Sequence, residues 1–122
     1  MAETILVVED DLSTCMLWSR HLTFAGWNVQ IAQNVEDALE ALLKYEPKAV
    51  VLDIMLMDER SGWDVLAQIR SWAWSQKTVV IVISAIDAPR RAFREGANAF
   101  LLKPCSPALV VERLNEEILS LQ

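Results

Sequence analysis

Apolar and polar positions along this chain alternate between two periods. "TILVV" (4–8) is short, apolar and rich in β-branched residues, as expected of a strand buried on both faces. A helical stretch over 12–25 follows, with Cys15, Trp18, Leu22 and Ala25 recurring at three- and four-residue spacing, and Gly26 stops it. "NVQIA" (28–32) reads as a second strand. Asn34 is placed to cap a helix over 35–45 whose inner face carries Val35, Ala38, Leu39, Leu42 and Leu43, with Pro47 ending it. "AVVLD" (49–53) is a third strand. A helix over 62–74 brings Trp63, Leu66, Ile69 and Arg70 near one another. "TVVIVIS" (78–84) is the clearest strand, followed by a short helical piece over 88–95 that stops at Gly96. "AFLL" (99–102) is the fifth strand, and an amphipathic helix over 106–120 closes the pattern with Leu109, Val110, Arg113, Leu114 and, just past its end, Leu121. Five strand–helix units with continuous apolar strands predict a doubly wound α/β domain: a parallel sheet covered by helices on both faces, with right-handed crossovers.

The length of 122 residues suits a single domain over 1–122, with no output domain in this chain. The hydrophobic fraction is 53%, yet no uninterrupted apolar run approaches the ~20 residues that cross a bilayer. "MAETILVVEDD" has neither a basic head nor a small-residue cleavage site, so no signal peptide and no membrane partner are expected. A net charge of −6 argues against direct nucleic-acid binding. Cys15 and Cys105 fit no metal spacing and read as free thiols of a reducing cytoplasm. His21, the one histidine, reads as an exposed helix position. The five tryptophans read as core and rim packing, with Trp72 and Trp74, two apart on a helix, predicted not to share a face.

"KAVVLDIMLMDER" then poses a question, because Asp53 sits in a greasy run where a lone carboxylate would lose hydration its neighbours cannot replace. Functional groups of open parallel sheets gather at the carboxyl ends of the strands. There the first strand delivers Glu9, Asp10 and Asp11, the third Asp53, the fourth Ser84 and the fifth Lys103. Clustered carboxylates repel unless a cation sits among them, and an oxygen-only set points to Mg²⁺. A lysine and a hydroxyl beside them suit an anion with several oxygens, such as a phosphoryl group. Asp11 is equally placed to cap the first helix.

"ILVVEDD", "VVLDIML", "VVIVISA" and "EGANAFLLKP" together resemble the signature segments of the response-regulator receiver domain of two-component signalling, over nearly the whole chain. The resemblance implies a flavodoxin-like fold of strand order 2-1-3-4-5. It implies Asp53 as phosphoacceptor, Mg²⁺ held by Asp10 directly, by Glu9 through water, by Asp53 and by the backbone carbonyl of Met55. Ser84 and Lys103 would bind the phosphoryl group, and Phe100 would take the aromatic switch position, where a core aromatic is the competing reading. The partner implied is a sensor histidine kinase or histidine phosphotransfer protein, with a weak homodimer compatible with the fold and the downstream partner unidentified. The switched surface would be the fourth helix, fifth strand and fifth helix. The resemblance also implies a cis Lys103–Pro104 bond, and it names Met55 and Ile86, two positions past the acceptor and the hydroxyl residue, as setting the lifetime of the phosphoryl group.

Three departures stand out. Met57 occupies a position where receivers commonly have proline, and "MLMDERSGW" is one residue longer than usual before the glycine. The stretch from Ser84 to Lys103 is about three residues short, close to one helical turn, which predicts a fourth helix of about two turns with Arg90, Arg91 and Arg94 exposed. Besides a phosphorylatable signalling domain that is not a turnover enzyme, two readings compete: a receiver-like adaptor acting by protein contacts, and a small Mg²⁺-dependent phosphatase. The position two after Asp53 is Met55 rather than an acid, which counts against the phosphatase.

Overall fold

The computed structural model describes residues 2–56 and 61–121. Elements alternate as β1 (Thr4–Val8), α1 (Leu12–Phe24), β2 (Asn28–Ala32), α2 (Val35–Tyr45), β3 (Ala49–Asp53), α3 (Gly62–Ser71), β4 (Val79–Ser84), α4 (Pro89–Arg94), β5 (Ala99–Leu102) and α5 (Pro107–Ser120). The five strands form one sheet in the order β2-β1-β3-β4-β5, every pairing parallel. That is the doubly wound, flavodoxin-like architecture expected. The positions of Met57 and of most of the lengthened loop before Gly62 lie outside the described residues.

Side-chain alternation along the strands divides the core in two. Leu6, Val8, Val50, Leu52, Val80 and Val82 pack under α2, α3 and α4, through Val35, Ala38 and Leu42, Val65, Leu66 and Ile69, and Ala92. Ile5, Val7, Ala49, Val51, Ile81, Ile83 and Leu101 pack under α1 and α5, through Cys15, Trp18, Leu22, Val110 and Leu114. Because both faces are covered, the central strands read as unbroken apolar runs.

The helix boundaries follow from identifiable caps. Asp11 accepts from the Thr14 amide at 3.1 Å to start α1, so its capping role is realised. Asn34 accepts from Asp37 N at 2.8 Å to start α2. Gly26, at φ 103°, turns the chain after α1 in a conformation L side chains rarely adopt. Glu46 makes the equivalent left-handed turn after α2 at φ 42°, just ahead of Pro47.

Several expectations need correction. Helix α3 ends at Ser71, not at 74, because Trp72 adopts an extended conformation (ψ 144°). The Ser75 hydroxyl folds back to donate to the Ile69 carbonyl, and the Gln76 side-chain Nε2 donates to the Arg70 and Trp72 carbonyls at 2.8 Å, supplying donors to carbonyls that the helix end leaves open. With the helix broken there, Trp72 and Trp74 stack at 5.7 Å between ring centroids, contrary to the separation predicted for one continuous helix. Leu43 and Ala25 point to solvent rather than inward. Helix α4, by contrast, matches its expectation: six residues flanked by Ala88 and Glu95, close to two turns, with Arg90, Arg91 and Arg94 exposed.

Candidate functional site

The carboxyl ends of β1, β3, β4 and β5 meet at one edge of the sheet, and the parallel register fixes their relative heights. Asp53 ends β3 opposite Ile83, one residue before Ser84 on β4. Lys103 follows β5 and donates its amide to the Ser84 carbonyl at 2.8 Å. The Lys103–Pro104 bond is cis, the form the resemblance implies.

At the centre, the Lys103 Nζ donates to Asp53 Oδ2 at 3.0 Å and to Glu9 Oε2 at 3.2 Å. Asp53 and Glu9 are each only 2% exposed. The other Asp53 oxygen, Oδ1, accepts the Met55 amide at 3.0 Å. Glu9, Asp10 and Asp53 each offer a carboxylate oxygen, and these atoms lie within 4.8 Å of one another. One lysine cannot balance three carboxylates. Burial first, and then the neighbouring Asp53, push the Glu9 carboxyl up to about 8, despite the opposing pull of Lys103. Burial works against the Lys103 charge, but Asp53 and Glu9 outweigh it and hold its ammonium above the ordinary lysine value. The donor set is oxygen-only and carries excess negative charge, which fits a hard dication.

The surroundings bring in residues that strand-end reasoning passed over. Gly62 starts α3 against the acceptor strand: its amide donates to the Ile54 carbonyl at 3.0 Å. A Cβ at Gly62 would run into the Asp53 carbonyl oxygen and come within 2.7 Å of Ile54 Cα, so glycine allows this close approach. On α1, the buried Cys15 thiol donates to the Glu9 carbonyl oxygen at 3.1 Å. Its helical spacing marked Cys15 as core-facing, but nothing in the sequence shows that it meets the Glu9 backbone. Ser84 is buried at the end of β4, its hydroxyl accepting the Ile86 amide at 3.0 Å. Phe100 is half-buried on the α4 side of the sheet. Met55 and Ile86 are 52% and 55% exposed, each turning its amide toward the site.

Burial and the nearby carboxylates, Glu9 foremost, push the Cys15 thiol up to about 12, whereas Cys105 is half-buried and raised by burial against the pull of Lys103. In the native protein at pH 8, a thiol-specific alkylating reagent is therefore expected to modify Cys105 and leave Cys15 intact until the fold is opened. Peptide mapping after timed labelling checks this; equal modification of both would contradict the burial of Cys15.

A family model described as the response regulator receiver domain matches residues 5–115. The chain belongs to this family. Among curated relatives, the probable transcriptional regulatory protein TcrX of Mycobacterium tuberculosis is 35% identical over 114 residues, covering 91% of this chain and 47% of the relative. The receiver domain thus spans about half the length of that protein. A putative response regulator from Chloroflexus aurantiacus superposes with a TM-score of 0.88 at 27% identity, covering 96% of this chain and 98% of that one. The receiver domain of sensor histidine kinase PA1611 from Pseudomonas aeruginosa shares the fold, with a TM-score of 0.84 at 21% identity over 97% of this chain and 98% of its own; that structure has a magnesium ion coordinated in its active-site cleft. This receiver domain is accordingly a module of two-component signalling. Among its described residues, no helix is long and apolar enough to cross a membrane.

Proposed function

We propose that this receiver domain accepts a phosphoryl group on Asp53 from a phosphohistidine of a sensor histidine kinase or histidine phosphotransfer protein. The observation that carries this reading is the buried Asp53 carboxylate at the end of β3, with the Lys103 ammonium 3.0 Å from one oxygen and two further carboxylates beside it. An acid desolvated at such a meeting point is placed for chemistry rather than for solubility. Mg²⁺ would be held by Glu9, Asp10, Asp53 and the backbone carbonyl of Met55, in keeping with the oxygen-only donor set and with the ion in the PA1611 receiver. When bound, it would neutralise charge on the transferring phosphoryl oxygens.

The rest falls to this chain's own side chains. An Asp53 oxygen attacks phosphorus and forms the new O–P bond as the N–P bond of the donor histidine breaks, its electron pair returning to the imidazole nitrogen. Lys103, already on Asp53, pairs with the phosphoryl oxygens. Ser84 releases the Ile86 amide and turns its hydroxyl toward the new dianion, and Phe100 moves into the space vacated. The α4–β5–α5 surface changes in response, a local charge event biasing a two-state element. The domain signals rather than turning over a small substrate, and it works where a kinase reaches it, in the cytoplasm.

A beryllofluoride titration, a mimic of the acyl phosphate, tests this reading. Wild type is expected to bind it only with Mg²⁺ present, and Asp53→Asn not at all. Mg²⁺-independent or absent binding by wild type would favour an adaptor that signals through protein contacts alone.

The phosphoryl group is expected to be long-lived. Water must reach phosphorus in line, and Met55 and Ile86, the apolar exposed residues beside that approach, offer no side-chain group to orient it. The double variant Met55→Asn, Ile86→Glu should lose the phosphoryl group on the order of tenfold faster, a modest share of what positioned proton-transfer groups contribute. Decay followed by phosphate release would contradict this if the variant were no faster than wild type.

A further inference from the structure

Among the described residues, three make an ion pair or an aromatic contact with the Lys103 ammonium, and two of them carry other duties. Glu9 and Asp53 belong to the carboxylate cluster that would hold the cation, and Asp53 is also the proposed acceptor. The third neighbour is the indole of Trp18, whose ring centroid lies 5.8 Å from Nζ, inside the ~6 Å range in which a cation is drawn to an aromatic face. Trp18 is 4% exposed, on the inner face of α1 between Cys15 and Leu22, so its ring is fixed by the core. With Trp18, Lys103 lines a cleft of about 460 Å³, whose walls include Thr14, Leu17, Pro104 and Cys105. A flexible four-carbon side chain facing such a cleft can swing away from Asp53 unless something holds it.

We infer that Trp18 is a positioning residue for Lys103: the buried indole holds the ammonium over the acceptor site while Glu9 and Asp53 exchange their lysine contacts for other partners. The inference rests on the reading of Asp53 and Lys103 given above. In this role Trp18 acts through the lysine.

The test uses the whole chain with Trp18→Leu and Trp18→Phe, measuring three quantities. In metal-free wild type, the Lys103 ε-methylene protons should be shifted upfield by the indole ring current. That shift should vanish in Trp18→Leu and be partly kept in Trp18→Phe. Beryllofluoride affinity should fall roughly fivefold in Trp18→Leu, the scale of a partly desolvated cation–aromatic contact, and recover in Trp18→Phe. Mg²⁺ affinity should change less than twofold in both, because the carboxylates are untouched. A merely structural role for Trp18 would lower both affinities together, and that result would overturn the inference. Unchanged beryllofluoride affinity, or an unshifted Lys103 resonance in wild type, would overturn it as well. Should Trp18→Leu not fold, Trp18→Met carries the same expectations. Wild type that takes up no beryllofluoride would instead overturn the reading of Asp53, so the two failures are told apart.

Discussion

Arg70→Met is expected to destabilise the domain by about 3 kcal/mol, with a fall of roughly 10 °C in Tm. Arg70 lies half-buried near the end of α3, and its guanidinium ties two stretches of chain, 75–78 and 96–98, to that helix. Nε donates to the Gly96 carbonyl at 2.8 Å, Nη1 to the Ser75 carbonyl at 3.0 Å, and Nη2 to the Thr78 carbonyl at 2.8 Å and Asn98 Oδ1 at 2.9 Å. Asn98 Oδ1 also accepts the Val80 amide at 2.8 Å, so the network reaches the starts of β4 and β5. Among the described residues no carboxylate pairs with Arg70, and burial lowers its pKa. Methionine fills the space but takes the guanidinium donor from the part-buried Gly96 and Thr78 carbonyls, each worth about 1–3 kcal/mol, while the Ser75 carbonyl keeps the Thr78 amide. Arg70→Lys should recover less than half of the loss, because one ammonium cannot span from Gly96 to Thr78. Urea denaturation checks both values; a loss below about 1 kcal/mol would mean that water replaces the guanidinium at little cost. Glycine at 96 belongs to the same arrangement: its φ is 107°, and a Cβ there would lie 2.8 Å from Arg70 Cγ. Arg70 therefore anchors the turn after α4, the short helix of the proposed output surface. At the other end of α4, Arg91 sits 4.2 Å from the Trp63 ring centroid.

The parts legible from sequence were those that depend on periodicity and on strand ends. Short, β-branched apolar runs such as "VVIVI" fit central strands of a covered sheet. A parallel sheet then brings Glu9, Asp10, Asp53 and Lys103 to one edge whatever the detail of the loops. Interactions that use backbone acceptors from distant segments were not legible. Arg70 could be placed on the inner face of its helix, and a cation there is itself a signal, but its backbone acceptors are carbonyls of two turns and of the residue before β4. The end of α3 was misread for a related reason. "SWAWSQ" contains nothing that forbids a helix, and the break follows from tertiary bonds made by Ser75 and Gln76. Leu43 fits the apolar stripe of α2 yet points to solvent, since a stripe drawn from spacing alone is wider than the face the sheet covers.

Asp53→Asn is expected to abolish phosphorylation while the domain still folds. Asparagine keeps the size of the side chain, and its carbonyl oxygen can still accept the Met55 amide that now bonds Oδ1. It removes the carboxylate that Lys103 holds at 3.0 Å, and an amide oxygen is too weak a nucleophile to take its place. Removing one of three clustered carboxylates also lessens their mutual repulsion, so unfolding is not expected to account for a loss of labelling. Circular dichroism of the variant should match that of wild type.

Intact-mass spectrometry after incubation with acetyl phosphate and Mg²⁺ tests the role of Asp53 most directly. Wild type should gain the mass of a single phosphoryl group, and Asp53→Asn should gain none. Equal labelling of the two proteins, or a wild type that stays unlabelled, would contradict the assignment of Asp53 as the acceptor.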